Sequence, residues 1–292
     1  MTAAERLPVL VGVDGSPASR SAIEVGVGAA RRSGRPLRLV HVADDGDGET
    51  VVTLDSASAA DEAEALLADA LAYATAAAPE VAVTAEVIPG DPAPTLLEEA
   101  RRAALLVVGE RGRGGFAGLL LGSVASHVAA HAAGPVIVAR ETPRPGGPVV
   151  VGADGSPGSA PAVEFAFAEA AARGAELVAI RAWHGRVPRE TEENLPLIYD
   201  AGDVQADQAR RLTASLAPTR ERYPQVVVRE RVRHGRAARV LVEESATAQL
   251  VVVGARGRGG FAALPLGSVG QAVLRHAHCP VAIVHPPGTR RE

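Results

Sequence analysis

The sequence predicts an α/β chain of two tandem domains, each a parallel sheet with helices on both faces. Three observations predict it. The chain matches itself: VLVGVDGSPASRSAIEVGVGAARRSG from Val9 aligns with VVVGADGSPGSAPAVEFAFAEAAARG from Val149, an offset of 140. Short β-branched apolar runs alternate with alanine-rich stretches of helical length, the order that builds a parallel sheet with helical crossovers. The length, 292 residues, fits two domains of roughly 100–200 residues each.

In the first half the predicted strands are Val9–Val13, Leu37–Val42, Ala82–Ile88, Leu105–Val108 and Val136–Ala139. Their apolar composition suits strands buried on both faces. Helices are predicted near Pro17–Arg32, Ser56–Ala77, Pro92–Arg101 and Ser123–His131. Pro17 and Pro92 fit a first helical turn, and Ser16 and Asp91 before them fit N-caps. The second half repeats the pattern, with strands near Val149–Ala153, Leu177–Ala182, Val226–Val232, Leu250–Val253 and Val281–His285. Gly90 matches Gly235, Gly109 matches Gly254 and Gly122 matches Gly267, each at an offset of 145, so a net five residues enter the second half between about Ala182 and Gly235. So long a period is a duplicated domain and not a solenoid. The domains expected are 1–142 and 148–287, joined by a short Pro- and Gly-rich linker near Glu141–Pro148 that holds them close. Polar loops are expected at Asp44–Asp61 and His184–Asn194.

Composition narrows the function classes. Apolar residues make up 47% and the net charge is −4 with 3% aromatics, which argues for a globular chain and against a nucleic-acid binder. No apolar run approaches the ~20 residues of a membrane span, and the opening residues lack a signal-peptide pattern. The one cysteine, Cys279, excludes an internal disulfide and fits a cytoplasmic location.

Ligands of open parallel sheets bind beyond the carboxyl ends of the strands. Those ends carry Val13-Asp14-Gly15-Ser16 and Ala153-Asp154-Gly155-Ser156, and the long loops Gly109–Ser123 and Gly254–Ser268. Glycines let backbone N–H groups approach an anion, and a helix N-terminus adds partial positive charge. Gly122, Ser123 and Val124, with Gly267, Ser268 and Val269, are therefore candidate phosphate contacts. The chain has no lysine, its 30 basic residues all being arginine, so the loop is not a Walker A motif. The turn after the first strand does not match the dinucleotide G-x-G-x-x-G either. Arg111, Arg113, Arg256 and Arg258 either touch phosphates or are solvated. Asp14 and Asp154 either contact a ligand or start helices, and a glycine-rich loop by itself can be a plain connection.

The spacing Gly109-x2-Gly112-x9-Gly122-Ser123, repeated as Gly254-x2-Gly257-x9-Gly267-Ser268, resembles the nucleotide-binding signature of the universal stress protein family, in its ATP-binding branch. The resemblance covers nearly the whole chain. It implies two Rossmann-like domains, each with a five-stranded parallel sheet in the order 3-2-1-4-5. It implies that Val13 and Asp14 lie by the nucleoside, that Val42 offers backbone to adenine and that Gly90 lines the same end. Gly109, Arg111 and Gly112 would pass along ribose and phosphates held by Gly122, Ser123 and Val124. In the second half the same roles fall to Ala153, Asp154, Ala182, Gly235, Gly254, Arg256, Gly257, Gly267, Ser268 and Val269. Two departures mark the second copy: Gly235-Arg236-Ala237 lacks the proline of Gly90-Asp91-Pro92, and Pro265 has no counterpart.

The expected ligand is ATP, one per half, with Mg²⁺ or Mn²⁺ carried by the triphosphate. No catalytic constellation appears, so a sensor or regulator in stress response leads over a slow ATPase or a scaffold with vestigial sites. His276-Ala277-His278-Cys279 contains zinc-ligand types, but the first half matches only its His276, as His131, a residue suited to a helix C-terminus. Trp183, Phe116 and Phe261 are expected to pack. The edge strands Val136–Ala139 and Val281–His285 are expected to pair within the chain, which makes the duplication a covalent dimer. Two chains are expected to form a homodimer.

Overall fold

The computed structural model describes residues 6–43, 56–113, 120–140, 146–184, 201–257 and 264–286. Arg258, Phe116, Phe261, most of the linker and the greater part of both expected polar loops lie outside them. The first half runs β1 (Val9–Gly12), α1 (Pro17–Ser33), β2 (Leu37–Ala43), α2 (Ser56–Ala77), β3 (Val83–Pro89), α3 (Pro92–Ala100), β4 (Leu105–Gly109), α4 (Ser123–His131) and β5 (Val136–Ala139). The second runs β6 (Val149–Gly152), α5 (Ala160–Arg173), β7 (Leu177–Trp183), α6 (Ala201–Arg222), β8 (Val228–His234), α7 (Ala237–Ser245), β9 (Leu250–Gly254), α8 (Ser268–His276) and β10 (Val281–Val284). The offset between matching elements is 140 at Leu37 and Leu177 and 145 at Ser56 and Ala201, so the extra residues lie between β7 and α6.

Local chemistry sets the helix ends. The Ser16 hydroxyl accepts from the Ser19 N–H at 3.1 Å, Pro17 follows, and α1 stops at Gly34 with φ +60°. Asp91 caps α3 in the same way, accepting from the Ala93 N–H at 3.3 Å. The copy of α1 departs from the pattern: α5 begins only at Ala160. Gly158 replaces Ala18, and a Cβ there would lie 2.6 Å from the Arg256 carbonyl. A poor helix former pressed against a loop delays the helix, and the buried Ser156 hydroxyl, the match of the Ser16 cap, has no hydrogen-bond partner among the described residues.

The strands form one sheet in the order β3-β2-β1-β4-β5-β10-β9-β6-β7-β8. All neighbours within each half are parallel. The halves meet where β10 pairs antiparallel with β5, with Val281 opposite Val138, Ala282 opposite Ile137 and Ile283 opposite Val136. Alternation along the strands divides the core between the two faces. Val9, Val11, Val149 and Val151 join one apolar cluster with α1, α2, α5 and α6. Leu10, Val150, Val138 and Val281 join the other with α3, α4, α7 and α8. Both clusters run through the seam. Among the described residues no helix is long and apolar enough to cross a membrane.

Side chains seal the seam at matched positions. Arg140, just after β5, pairs with the buried Glu110 and donates to the Leu274 carbonyl of α8. His285, just after β10, donates through Nε2 to the Ala129 carbonyl of α4 at 3.0 Å. Burial first, then the charges of Arg256 and His131, hold the His285 pKa below its usual value, against the opposing pull of the Ala129 hydrogen bond.

Both seam contacts can be tested by stability. Arg140→Ala leaves the Glu110 carboxylate buried without its partner, and urea unfolding at neutral pH should show a loss of about 3–5 kcal/mol; a loss below about 1 kcal/mol would mean that water already screens the pair. For His285 the folded pKa lies below the unfolded value of about 6.5, so its contribution is present above that value and is lost as pH falls toward the folded pKa. Stability should decline as pH drops below about 6.5, and His285→Gln should flatten that decline. An equal decline in the variant would assign it to other groups.

Candidate functional site

The carboxyl ends of β1 and β4 are adjacent, because these strands are paired neighbours. The turn after β1 therefore meets the loop after β4. Val13 stays in the ladder, its N–H donating to the Val40 carbonyl at 2.9 Å. Asp14 then turns its carboxylate in two directions: Oδ1 accepts from the Ser16 N–H and Oδ2 from the Arg113 N–H, both at 3.0 Å. The Ser16 hydroxyl donates to the Arg111 carbonyl at 3.3 Å. Asp14 and Ser16 thus clasp residues 111–113, and the half-buried aspartate serves the loop as well as the helix start.

The glycines of the loop act for different reasons. A Cβ on Gly109 would lie 2.7 Å from the Ala18 carbonyl, and one on Gly112 would lie 2.5 Å from Asp14 Oδ2. Gly109, packed against backbone, must be glycine for the loop to lie so close to the β1–α1 turn, while a side chain at Gly112 would push the Asp14 carboxylate off its bond to the Arg113 N–H. Gly122 has φ −72° and its nearest contact would be 3.4 Å away, so space does not require it. Its role is at the helix end. Gly122 is the N-cap of α4, no side chain caps the helix, and its own N–H closes the loop onto the Glu110 carbonyl at 2.8 Å. The first amides of α4, from Ser123 and Val124, thereby begin a helix whose N-terminal field no side chain of the cap neutralises. Ser123 is exposed beside them, as are Arg111, Gly112 and Arg113.

At the outer side of the site, Gly90 adopts φ +133° and donates to the Ala43 carbonyl at 2.9 Å, closing the ends of β2 and β3 together. Val42 is half-buried one residue earlier. His41 Nδ1 donates to the Val13 carbonyl at 2.8 Å.

The second half reproduces this arrangement. The Ala153 N–H donates to the Ile180 carbonyl at 2.9 Å, Asp154 Oδ1 accepts from the Ser156 N–H at 2.8 Å, and a Cβ on Gly257 would lie 2.9 Å from Asp154 Oδ2. A Cβ on Gly254 would lie 2.4 Å from the Gly158 carbonyl. The Gly267 N–H closes onto the Ala255 carbonyl at 2.8 Å, as Gly122 does onto Glu110, so Pro265 leaves the loop closure unchanged. Gly267 caps α8 with φ −73° and no side-chain bond. Ser268 is exposed and Val269 half-buried behind it, while Arg256 is half-buried where Arg111 is exposed. The other departure in sequence also keeps the backbone. Arg236 starts α7 with φ −72° and ψ 127°, against −73° and 126° at Asp91. Gly235 keeps its positive φ, at +146°, and its N–H donates to the Trp183 carbonyl at 2.8 Å beside Ala182. Arg181 takes the place of His41: buried on β7, it donates through Nη1 to the Asp154 carbonyl at 2.6 Å.

Sequence reasoning missed the clasp made by the Ser16 hydroxyl, and it missed Glu110, His41 and Arg181. The signal for the last two was present, since each is a polar residue in a strand that is otherwise apolar at its centre. Among the described residues no group of three His, Cys, Asp or Glu side chains could hold a metal ion. Cys279 is buried, with His276 and His278 exposed on either side of Ala277.

The model of the universal stress protein family matches residues 6–140 and 147–285. The chain belongs to the universal stress protein family. Universal stress protein Rv1996 of Mycobacterium tuberculosis is 38% identical over 303 residues, covering 96% of both chains. Universal stress protein Rv2005c of the same organism is 40% identical over 288 residues, covering 94% of this chain and 96% of its own. A universal stress protein of Archaeoglobus fulgidus superposes with a TM-score of 0.72 at 21% identity, covering 97% of this chain and 100% of its own, a likeness of fold.

The glycine geometry separates two kinds of substitution within this family member. Gly109→Ala drives a methyl into backbone and should cost about 1–3 kcal/mol in urea unfolding. Gly122→Ala should cost under about 1 kcal/mol, the modest penalty of alanine at an uncapped N-cap. Equal losses from the two would contradict the close-approach account of Gly109.

Proposed function

We propose that each half binds one ATP and that the protein acts as a nucleotide-dependent sensor or regulator in stress response. The observation that carries this reading is the pair of open helix starts. Both α4 and α8 begin at a glycine cap with no side-chain bond, behind a loop that glycines hold against the aspartate of the first strand. A phosphate chain fits such a cradle, because backbone N–H groups point outward and no carboxylate competes at the cap. Gly122, Ser123 and Val124 would hold phosphate oxygens, with Gly109, Arg111 and Gly112 along the ribose and phosphates. Val13, Asp14, Val42 and Gly90 would flank the nucleoside. Gly267, Ser268, Val269, Gly254, Arg256, Gly257, Ala153, Asp154, Ala182 and Gly235 would do the same in the second half.

A Mg²⁺ or Mn²⁺ would ride on the phosphates and supply charge neutralisation. The reading is of a binder and not an efficient enzyme, since no side chain of the described loop residues is arranged as a base behind a phosphate; the alternative of slow hydrolysis rests on no observation of its own. A cytoplasmic location and a homodimer of whole chains belong to the same proposal.

The first experiment denatures the purified protein and counts released nucleotide by chromatography, followed by calorimetric titration with Mg-ATP. About two sites per chain are expected. Ser123→Ala and Ser268→Ala should each weaken one site roughly 5–10-fold, the effect of one lost hydrogen bond to a charged group. No release together with no titratable binding would sink the reading and leave a scaffold.

A further inference from the structure

The two halves have diverged most at the outer ends of the sheet. In the first half, β3 and the start of α3 carry Glu86, Ile88, Asp91 and Pro94. The matching positions in the second half, along β8 and α7, carry Arg231, Arg233, Arg236 and Arg239. Two negative charges have become four positive ones on the same backbone.

Among the described residues the carboxylates that face these arginines have not increased. Glu243 and Glu244 of α7 match Glu98 and Glu99 of α3. Glu244 is shared by Arg231 at 2.7 Å and Arg233 at 3.0 Å, and Glu243 pairs with Arg239 at 2.8 Å and lies 4.0 Å from Arg233. Among the described residues three guanidinium groups thus share two carboxylates and Arg236 adds a fourth cation, a local surplus of two positive charges. Arg233, His234, Gly235, Arg236, Arg239 and Glu243 line an open pocket of about 360 Å³. The ring of Trp183 stands edge-on to His234, with centroids 4.7 Å apart.

The start of α7 makes the same contrast. In the first half the Asp91 carboxylate accepts from the Ala93 N–H, so a covalently attached anion occupies the helix N-terminus. In the second half Arg236 holds that position with the same backbone angles and no side-chain cap. A cation replaces the anion at the point where the helix field favours an anion. Among the described residues, the pocket, the arginine surplus and the missing cap together favour the binding of negative charge.

We propose that the second half, and not the first, carries an anion pocket between β8 and α7 that takes a multiply charged phosphoryl group, held by Arg233, Arg236 and Arg239 beside His234 and Trp183. Guanidinium forks match phosphate oxygens in geometry as well as charge. The pocket is separate from the phosphate loop of α8: it lies at β8, three strands from β9, where that loop begins, or about 14 Å away across the sheet. Gly235 borders both this pocket and the nucleoside end of the ATP site proposed above, but Arg233, Arg236 and Arg239 belong to neither the glycine loop nor the start of α8, so the two readings are tested separately. The phosphoryl group could be free or carried on an aromatic ester, which the neighbouring rings would favour.

Trp183 is the only tryptophan in the chain, so its fluorescence reports locally on this pocket. The full chain is titrated with inorganic pyrophosphate, inorganic phosphate and phenyl phosphate in turn, at constant ionic strength set by chloride. A saturating Trp183 response is expected with at least one probe. Arg236→Gln/Arg239→Gln should weaken it at least tenfold while leaving the thermal melt unchanged, and Ser268→Ala should leave it within about twofold. If the double variant melts early, Arg236→Gln alone, an exposed single change, should still weaken binding at least about threefold. Tighter binding of phenyl phosphate than of inorganic phosphate identifies an aromatic ester as the ligand, and equal binding identifies the phosphoryl group alone. The proposal is overturned by a response no larger than chloride gives, by a response that survives loss of the arginines, or by one that Ser268→Ala abolishes.

Discussion

The antiparallel pairing of β5 with β10 is the contact on which the rest of the architecture depends. Each half alone would end in a four-residue strand with one unpaired edge, Val136–Ala139 or Val281–Val284, apolar on both faces. Such an edge invites pairing with any other chain. The two edges satisfy each other, and both apolar clusters become continuous across the joint. Because the joint is antiparallel while each half is parallel, the strand ends of the two halves point in opposite directions. The two glycine loops therefore lie on opposite borders of one sheet. The helix that starts at each loop reaches back to the seam, where its backbone accepts a side chain of the other half: α4 at Ala129 from His285, and α8 at Leu274 from Arg140.

The same joint explains why the seam is sealed in two chemistries. Arg140 has Glu110 to neutralise it, but the match of Glu110 is Ala255, and the match of Arg140 is His285. With no carboxylate available, a fixed cation at His285 would be buried without a counter-charge, which costs several kcal/mol. An imidazole that stays neutral makes the same hydrogen bond without that penalty. Geometry has been kept while the charge state changed.

Much of the fold was legible in the sequence, for physical reasons. A strand buried on both faces must be apolar, and β1, β4, β5, β6, β9 and β10 are short enough for composition alone to mark them. Helix starts were legible where a capping residue precedes a proline, as at Ser16 and Asp91. The late start of α5 was not, since the motif Gly155-Ser156-Pro157 is the same as Gly15-Ser16-Pro17 and only the packing of Gly158 against Arg256 separates them. The position and spacing of the site glycines were legible too. Their separate reasons were not: Gly109 and Gly112 answer to contacts with Ala18 and Asp14, distant in sequence, while Gly122 answers to a helix end.

Least legible was the divergence at the outer strands. Alternating arginines at 229, 231 and 233 on an edge strand read as the charges that keep such edges from pairing, and each of the three has a carboxylate within 3.0 Å. Only the fold brings Arg236 and Arg239 onto the same pocket and shows two glutamates divided among three of the four arginines. The first half makes the comparison possible, because it keeps the glutamates and the backbone while satisfying the helix start with Asp91. Duplication holds one architecture constant in two copies within a single chain. A difference in charge between the copies, on unchanged backbone, then points to what each end of the sheet meets in solution and not to the demands of folding.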